Sequence, residues 1–291
     1  MDLFEGNPLA EVFGYPASDF SEEAHSARAN KPCPFNRKTP DCRKDRKSDP
    51  LGTCSINQNG EAIITCPTRF TEDWTIAKDA ARFFFDPGDD YTILREYQMK
   101  DANGEVAGNV DLVLAKVDGE KQVVDFGAVE VQSVYITGNM RDAFEHYMED
   151  PTGRVGFDWS SHLEQTGGYY PSPDWRSSHK RLFRQLVSKG SILNDLGKKQ
   201  AVTIQRQFYE SMPELSEVPP EKADMIWLIY DLVDDAETGY PKLKRVDSFH
   251  TTHDLALEEI EYFETPDTDE PLREALQRKL ERESDPPVLS V

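Results

Sequence analysis

Beyond Cys66 the chain contains no cysteine, so its four thiols, Cys33, Cys42, Cys54 and Cys66, all fall in one early segment and none is left to cross-link the rest of the fold. There is no Cys-x-x-Cys knuckle, so a metal reading rests on clustering and on the turn-forming residues beside the sulfurs: Cys33-Pro34, Gly52-Thr53-Cys54 and Cys66-Pro67. The longest apolar run, Met225 to Tyr230, is far too short to span a membrane. No glycine-rich phosphate loop, heptad run or internal repeat is present, which sets aside P-loop enzymes, coiled coils and solenoids. The opening Met1-Asp2-Leu3-Phe4 carries no basic, apolar export signal, so a soluble protein of the reducing cytoplasm is expected. In that compartment one tetrahedral metal site is favoured over two disulfides or four unrelated thiols.

Cations are also scarce. Lys and Arg number 33 against 54 Asp and Glu, giving a net charge of -21, and such an average repels nucleic acid. The distribution reverses that impression. Between Arg28 and Lys47, the cations Arg28, Lys31, Arg37, Lys38, Arg43, Lys44, Arg46 and Lys47 face only Asp41 and Asp45. Between Arg176 and Arg206, the cations Arg176, Lys180, Arg181, Arg184, Lys189, Lys198, Lys199 and Arg206 face Asp195 alone. Segregation of this kind suits a protein that confines phosphate binding to one face; the competing account is an acidic shell suited to high salt.

Residues 1–70, rich in Pro, Asn, Ser and charge, predict a metal-organised module without a core of its own, followed by a catalytic core over 71–291. Trp74, Ala77, Ala81 and Phe84 recur at helical spacing behind the start signal Thr71-Glu72-Asp73 and predict a helix over 71–85. Tyr91 to Met99 alternates, and two alternating runs, 109–117 and 123–135, flank Asp118-Gly119 as a β-hairpin. The stretch 138–174 is expected to be mostly loop with a short helix near 141–148, and helix to follow over 175–212 with breaks near Gly190 and Gly197. Strands at 225–233 and 243–249 and two acidic helices, 255–263 and 271–283, complete an α/β fold with a central sheet.

The hairpin carries the second informative feature. Asp111 stands among Val110, Leu112, Val113 and Leu114, and Glu130 and Gln132 stand among Val129, Val131 and Val134. Strand alternation puts Glu130 and Gln132 on one face, and the turn brings Asp111 opposite Glu130. Two carboxylates inside apolar strands repel each other and lose hydration, a cost that a hard divalent cation would offset. Such a cation, held by Asp111, Glu130 and the Val131 carbonyl, would activate water and stabilise charge on a phosphoryl group under attack. Glu96 on the preceding strand is a further ligand or water-orienting group. The Asp…Glu-x-Lys pattern of nucleases is degenerate and has Gln132 in place of its Lys here; Lys116 is a weak candidate to supply the missing cation. Ordinary solvent-facing acids are the alternative.

Taken together these residues resemble the NotI-type restriction endonucleases, a branch of the PD-(D/E)xK nucleases. The similarity runs through Phe13-Gly14-Tyr15-Pro16, Cys33-Pro34-Phe35, Cys42, Gly52-Thr53-Cys54, Asn57 and Cys66-Pro67-Thr68-Arg69, then Glu96, Asp111 and Glu130-Val131-Gln132. It covers roughly the first 135 residues well and the remainder loosely. The resemblance implies a PD-(D/E)xK central mixed sheet flanked by helices, with Cys33, Cys42, Cys54 and Cys66 holding one iron ion; thiolate chemistry alone accepts zinc equally. It implies Glu96, Asp111 and Glu130 at a catalytic Mg²⁺, with Gln132 positioning water or phosphate. The activity implied is type II cleavage of double-stranded DNA at a palindromic, GC-rich site by a homodimer, paired with a cognate DNA methyltransferase. Arg37, Lys38, Arg43, Lys44, Arg46 and Lys47 are expected to face DNA, as are Lys180, Arg181 and Arg184 on a helix. His179 is expected to contact phosphate, and Trp159, Trp175, Tyr169 and Tyr170 to pack or form a dimer contact. A non-catalytic, metal-stabilised DNA-binding protein and a structure-selective repair nuclease are the alternatives.

Overall fold

Short antiparallel strands open the chain: β1 (Leu9–Val12), β2 (Tyr15–Pro16), β3 (Thr53–Gln58) and β4 (Glu61–Ile64), in the order β2-β1-β3-β4. Helix α1 (Glu22–Asn30) is capped by Ser21, whose Oγ accepts from the Ala24 amide at 3.2 Å. The computed structural model describes residues 6–36, 39–154, 157–165, 169–260 and 268–282. The chain divides into two compact units, residues 1–260 and 261–291.

After β4 the predicted helix over 71–85 is split. Residues Pro67–Trp74 form 3-10 turns with a kink, because Asp73 and Trp74 take left-handed backbone, and α2 begins at Thr75 and ends at Phe84. Next come β5 (Tyr91–Lys100), β6 (Val106–Val117) and β7 (Val123–Gln132), a meander whose second turn is closed by Asp118 Oδ1 accepting from the Glu120 and Gln122 amides at 2.9 Å. The stretch expected to be mostly loop holds β8 (Tyr135–Thr137), α3 (Met140–Glu149), α4 (Trp159–Gln165) and β9 (Ser172–Asp174).

Helix α5 (Trp175–Gln185) continues through a π-turn, Leu186–Gly190, into α6 (Ser191–Asp195). The long helix predicted over 175–212 ends there: β10 (Gln200–Gln205) is a strand, followed by one turn of helix, α7 (Arg206–Glu210). Strands β11 (Met225–Asp234) and β12 (Pro241–Thr251) and helix α8 (His253–Ile260) complete the first unit. In the second unit the described helix is α9 (Glu270–Arg282).

The large sheet has the order β12-β11-β10-β7-β6-β5. Strand β10 runs parallel to both β7 and β11, while the outer pairings are antiparallel, so this is an α/β protein with a mixed sheet flanked by helices. One face buries Leu112, Leu114, Val129, Val131 and Leu228 against Ile76, Ala77, Ala80 and Phe84 of α2. The other buries Val202, Ile204, Trp227 and Phe249 against Leu182 and Leu186 of the π-interrupted helix.

The cysteine-bearing segment shares its core: Leu9, Val12, Phe13, Ala27 and Leu51 pack with Phe144 and Tyr147 of α3 and with Trp159 and Leu163 of α4. Polar ties add to this. Gln205 donates from Nε2 to Ala62 O at 2.6 Å and accepts from Ile64 N at 2.7 Å, and Val134 N donates to Ile64 O at 3.1 Å. Arg69, fully buried, donates to Glu11 at 3.1 Å, to Glu72 at 2.7 Å and to Pro241 O at 2.8 Å, its guanidinium 4.3 Å from the centre of the Phe35 ring.

Candidate active site

Register places the acidic residues. Leu112 pairs with Val129 across β6 and β7, and Arg95 and Tyr97 pair with Leu112 and Val110 across β5 and β6. Glu96, Asp111 and Glu130 therefore form one row over three adjacent strands. Beyond Glu130 that row continues into Val202, Trp227 and Phe249, which lie under the π-interrupted helix. The face is thus apolar at one end and acidic at the other.

Within the row the three carboxylates differ. Glu130 is 4% exposed and Gln132 2% exposed, while Asp111 is half-buried and accepts from the Val131 amide at 2.8 Å through Oδ2. Burial and the neighbouring Asp111 charge push the Glu130 carboxyl up to about 8, with Lys189 pulling the other way. Glu130 Oε1 and Gln132 Oε1 are buried without a hydrogen-bond partner. Glu96 is exposed, and its φ of 53° is the left-handed backbone that costs a side-chain-bearing residue roughly 1–2 kcal/mol. Strain of that kind inside a strand, on a candidate catalytic residue, is the sort that functional sites hold.

Lys189 is the residue the sequence did not assign to this site. Counted among the surface cations, it is 3% exposed and its Nζ donates to Glu130 Oε2 at 2.6 Å and to Asn109 O at 2.5 Å. One signal was available: Lys189 lies seven residues past Leu182, on the helix's buried side. Lys116 instead pairs with Asp89 at 2.7 Å.

The thiols converge through two backbone pairings. A bridge between Pro32 and Asp41 brings Cys33 beside Cys42, with Cys33 N donating to Pro40 O at 2.7 Å and Cys42 N to Lys31 O at 3.0 Å. Cys66 N donates to Cys54 O at 3.3 Å. All four are free thiols. Burial raises the Cys33, Cys42 and Cys54 thiols, and Cys66 adds to the rise in all three. Backbone hydrogen bonding at Phe35 and Asn36 offsets part of the rise at Cys33, and at Lys44 and Arg43 part of that at Cys42. Among the described residues, neither thiols nor carboxylates close into a ready-made cage of three or more metal ligands.

The cations sort into two groups. Arg176, Lys180 and Arg184 lie exposed along α5, outside the ion pairs found among the described residues; Arg181 is exposed and donates to the Tyr135 hydroxyl. Arg43, Arg46 and Lys47 are exposed, whereas Lys44 turns inward to Thr53 O at 2.7 Å and Thr65 Oγ1 at 2.9 Å. Arg37 and Lys38 lie outside the described residues. Arg28 is buried beside Tyr147, and Arg206 is tied to Asp231, Glu61 and Glu210. His179 is half-buried against Phe208, 3.0 Å from Ser211 Oγ, and burial lowers its pKa. Trp159 is core, Trp175 stacks on Phe208, Tyr170 donates to Gly6 O and Tyr169 is exposed.

A row of carboxylates ending beneath a helix lined outside with cations is equipment for chemistry on phosphate esters. The family model described as "Restriction endonuclease NotI" matches residues 11–243, so the chain belongs to the NotI restriction endonuclease family. It is accordingly a nuclease, a hydrolase that acts on DNA. No individual curated protein matches the chain. Among the described residues no helix is long and apolar enough to cross a membrane.

Proposed function

We propose that the protein is a type II enzyme of the PD-(D/E)xK class that makes Mg²⁺-dependent, site-specific double-strand breaks, with Asp111 and Glu130 as metal ligands, Glu96 completing the shell and Gln132 orienting water or phosphate. The supporting observation is the orphaned Oε1 of Glu130, buried beside Asp111 in a row of carboxylates. A bare buried oxygen with a second carboxylate next to it fits a hard cation. Bound there, Mg²⁺ would supply Lewis-acid polarisation and a water of lowered pKa. The chain's own groups do the rest. Val131 N–H holds Asp111 through Oδ2, and the sheet holds Glu130 opposite it. Arg176, Lys180, Arg181 and Arg184 bind the DNA backbone, aided by Arg43, Arg46 and Lys47.

Cys33, Cys42, Cys54 and Cys66 would hold one iron or zinc ion. Four sulfurs are a donor set either metal accepts, and backbone hydrogen bonding beside Cys33 and Cys42 works in favour of their thiolates. The palindromic, GC-rich target, the homodimer and the partner methyltransferase rest on the family resemblance. The deciding experiment is incubation of unmethylated phage DNA with Mg²⁺ and wild type, Asp111→Ala or Glu130→Ala. Discrete fragments with wild type alone are expected; cleavage that survives both substitutions would refute the assignment.

A further inference from the structure

Lys189 reaches Glu130 from a stretch where the helix that carries it is locally rewound. In the π-turn Leu186–Gly190, Ser191 N donates to Leu186 O, five residues back. That carbonyl also lies 3.0 Å from His253 Nε2, and Gly190 O accepts from Gln200 Nε2 at 2.9 Å. Both side chains are buried, His253 on α8 and Gln200 on β10, so two other elements hold the turn. Gly190 keeps this junction close: a Cβ would stand 2.9 Å from His253 Nε2 and 3.0 Å from Gln200 Oε1, so one of them would have to give way. On β6, Gly108 has φ +142°, and a Cβ there would come within 3.2 Å of the Lys189 side chain, so the strand leaves a slot for the lysine stem. π-turns of this kind recur at functional sites.

The chemistry at the end of that stem is specific. The ammonium binds Oε2 of Glu130 and leaves Oε1 buried and without a partner. Gln132, two residues along β7 on the same face, has no charge to offer and donates its Nε2 hydrogen to Ser133 O at 2.5 Å. We propose that Lys189 is the positioning cation of the nuclease site: delivered by the π-turn, its ammonium holds Glu130 by Oε2, presents Oε1 to the divalent cation and supplies the positive charge that the Glu-x-Gln pattern lacks. This rests on the nuclease reading above and adds to it a residue from a different element.

The test compares wild type, Lys189→Met, Lys189→Met with Gln132→Lys, and Glu130→Ala. Two quantities are read: the rate of phage-DNA cleavage across a Mg²⁺ series, and binding of Mn²⁺ alone, followed by electron paramagnetic resonance. Losing a group that orients a metal ligand costs about 10–100-fold in metal affinity or activity, and a loss of that size in both quantities is expected for Lys189→Met. Moving the cation to position 132 should recover most of the rate, which a lysine needed only for packing would not allow. Cleavage and Mn²⁺ binding at wild-type levels in Lys189→Met would overturn the inference while leaving the nuclease reading intact. Tighter Mn²⁺ binding at an undiminished rate would also overturn it, showing an ammonium that merely competes with the metal. If Lys189→Met does not fold, the double variant, which keeps a cation near Glu130, decides: a rate above that of Glu130→Ala sustains the inference and a rate equal to it ends it. A wild type that cuts no DNA and binds Mn²⁺ no better than Glu130→Ala would remove both readings.

Discussion

Glu130 is buried among apolar strands and faces one carboxylate and one ammonium, and its protonation decides how the site behaves with pH. Its folded pKa, about 8, lies above the ordinary 4.5, so between those values the folded chain holds a proton that the unfolded chain releases. The stability this group contributes is full below about pH 4.5 and is lost as pH rises through about 8. Urea midpoints of metal-free protein should therefore fall over that window more steeply in wild type than in Glu130→Gln. A metal ligand must be deprotonated, so the Mg²⁺ concentration needed for half-maximal cleavage should decrease as pH rises toward 8. Arg69 behaves differently. Its partners Glu11 and Glu72 are carboxylates that would be left without a counter-charge, so Arg69→Ala is expected to cost about 3–5 kcal/mol in urea unfolding.

At the scale of elements, Gly190→Ala should crowd His253 and Gln200 and destabilise by about 1–3 kcal/mol in thermal unfolding. Cleavage should fall further than stability predicts, because the same collision moves Lys189. How much of this was legible varied with how far apart the interacting residues lie in sequence. The β6–β7 hairpin was readable because its alternation and its Asp118-Gly119 turn are local, and with them came the facing of Asp111 and Glu130. The helix start was misread: Thr71-Glu72-Asp73 looks like a cap, yet Thr71 Oγ1 donates to Phe35 O at 2.9 Å and Glu72 binds Arg69 and Leu243 N. Strand β10 was missed because six residues buried on both faces carry no alternation, and its pairing with β7 and β11 is long-range. Lys189 was hidden for the same reason: nothing near it in sequence announces Glu130.

For the whole molecule, a net charge of -21 coexists with a cationic strip along α5. Lys180→Ala and Arg184→Ala should each lower the slope of log binding constant against log salt by about 1, with smaller effects on the choice of target. Much of the apparent basic clustering is internal bookkeeping, since Arg28, Lys44, Lys189 and Arg206 spend their charge on packing or on acids within the chain. Cys66 lies near the end of β7, since Ile64, two residues before it, is bonded to Val134, two residues after Gln132. The π-turn has a consequence at this scale as well. A uniform α-helix advances about 100° per residue, so the direction of its outer side chains dictates that of its inner ones. The one surplus residue in Leu186–Gly190 acts as a phase offset between the cations of α5 and the lysine beyond them, so on the proposed reading the DNA-binding surface and the group beside Glu130 are free to change separately.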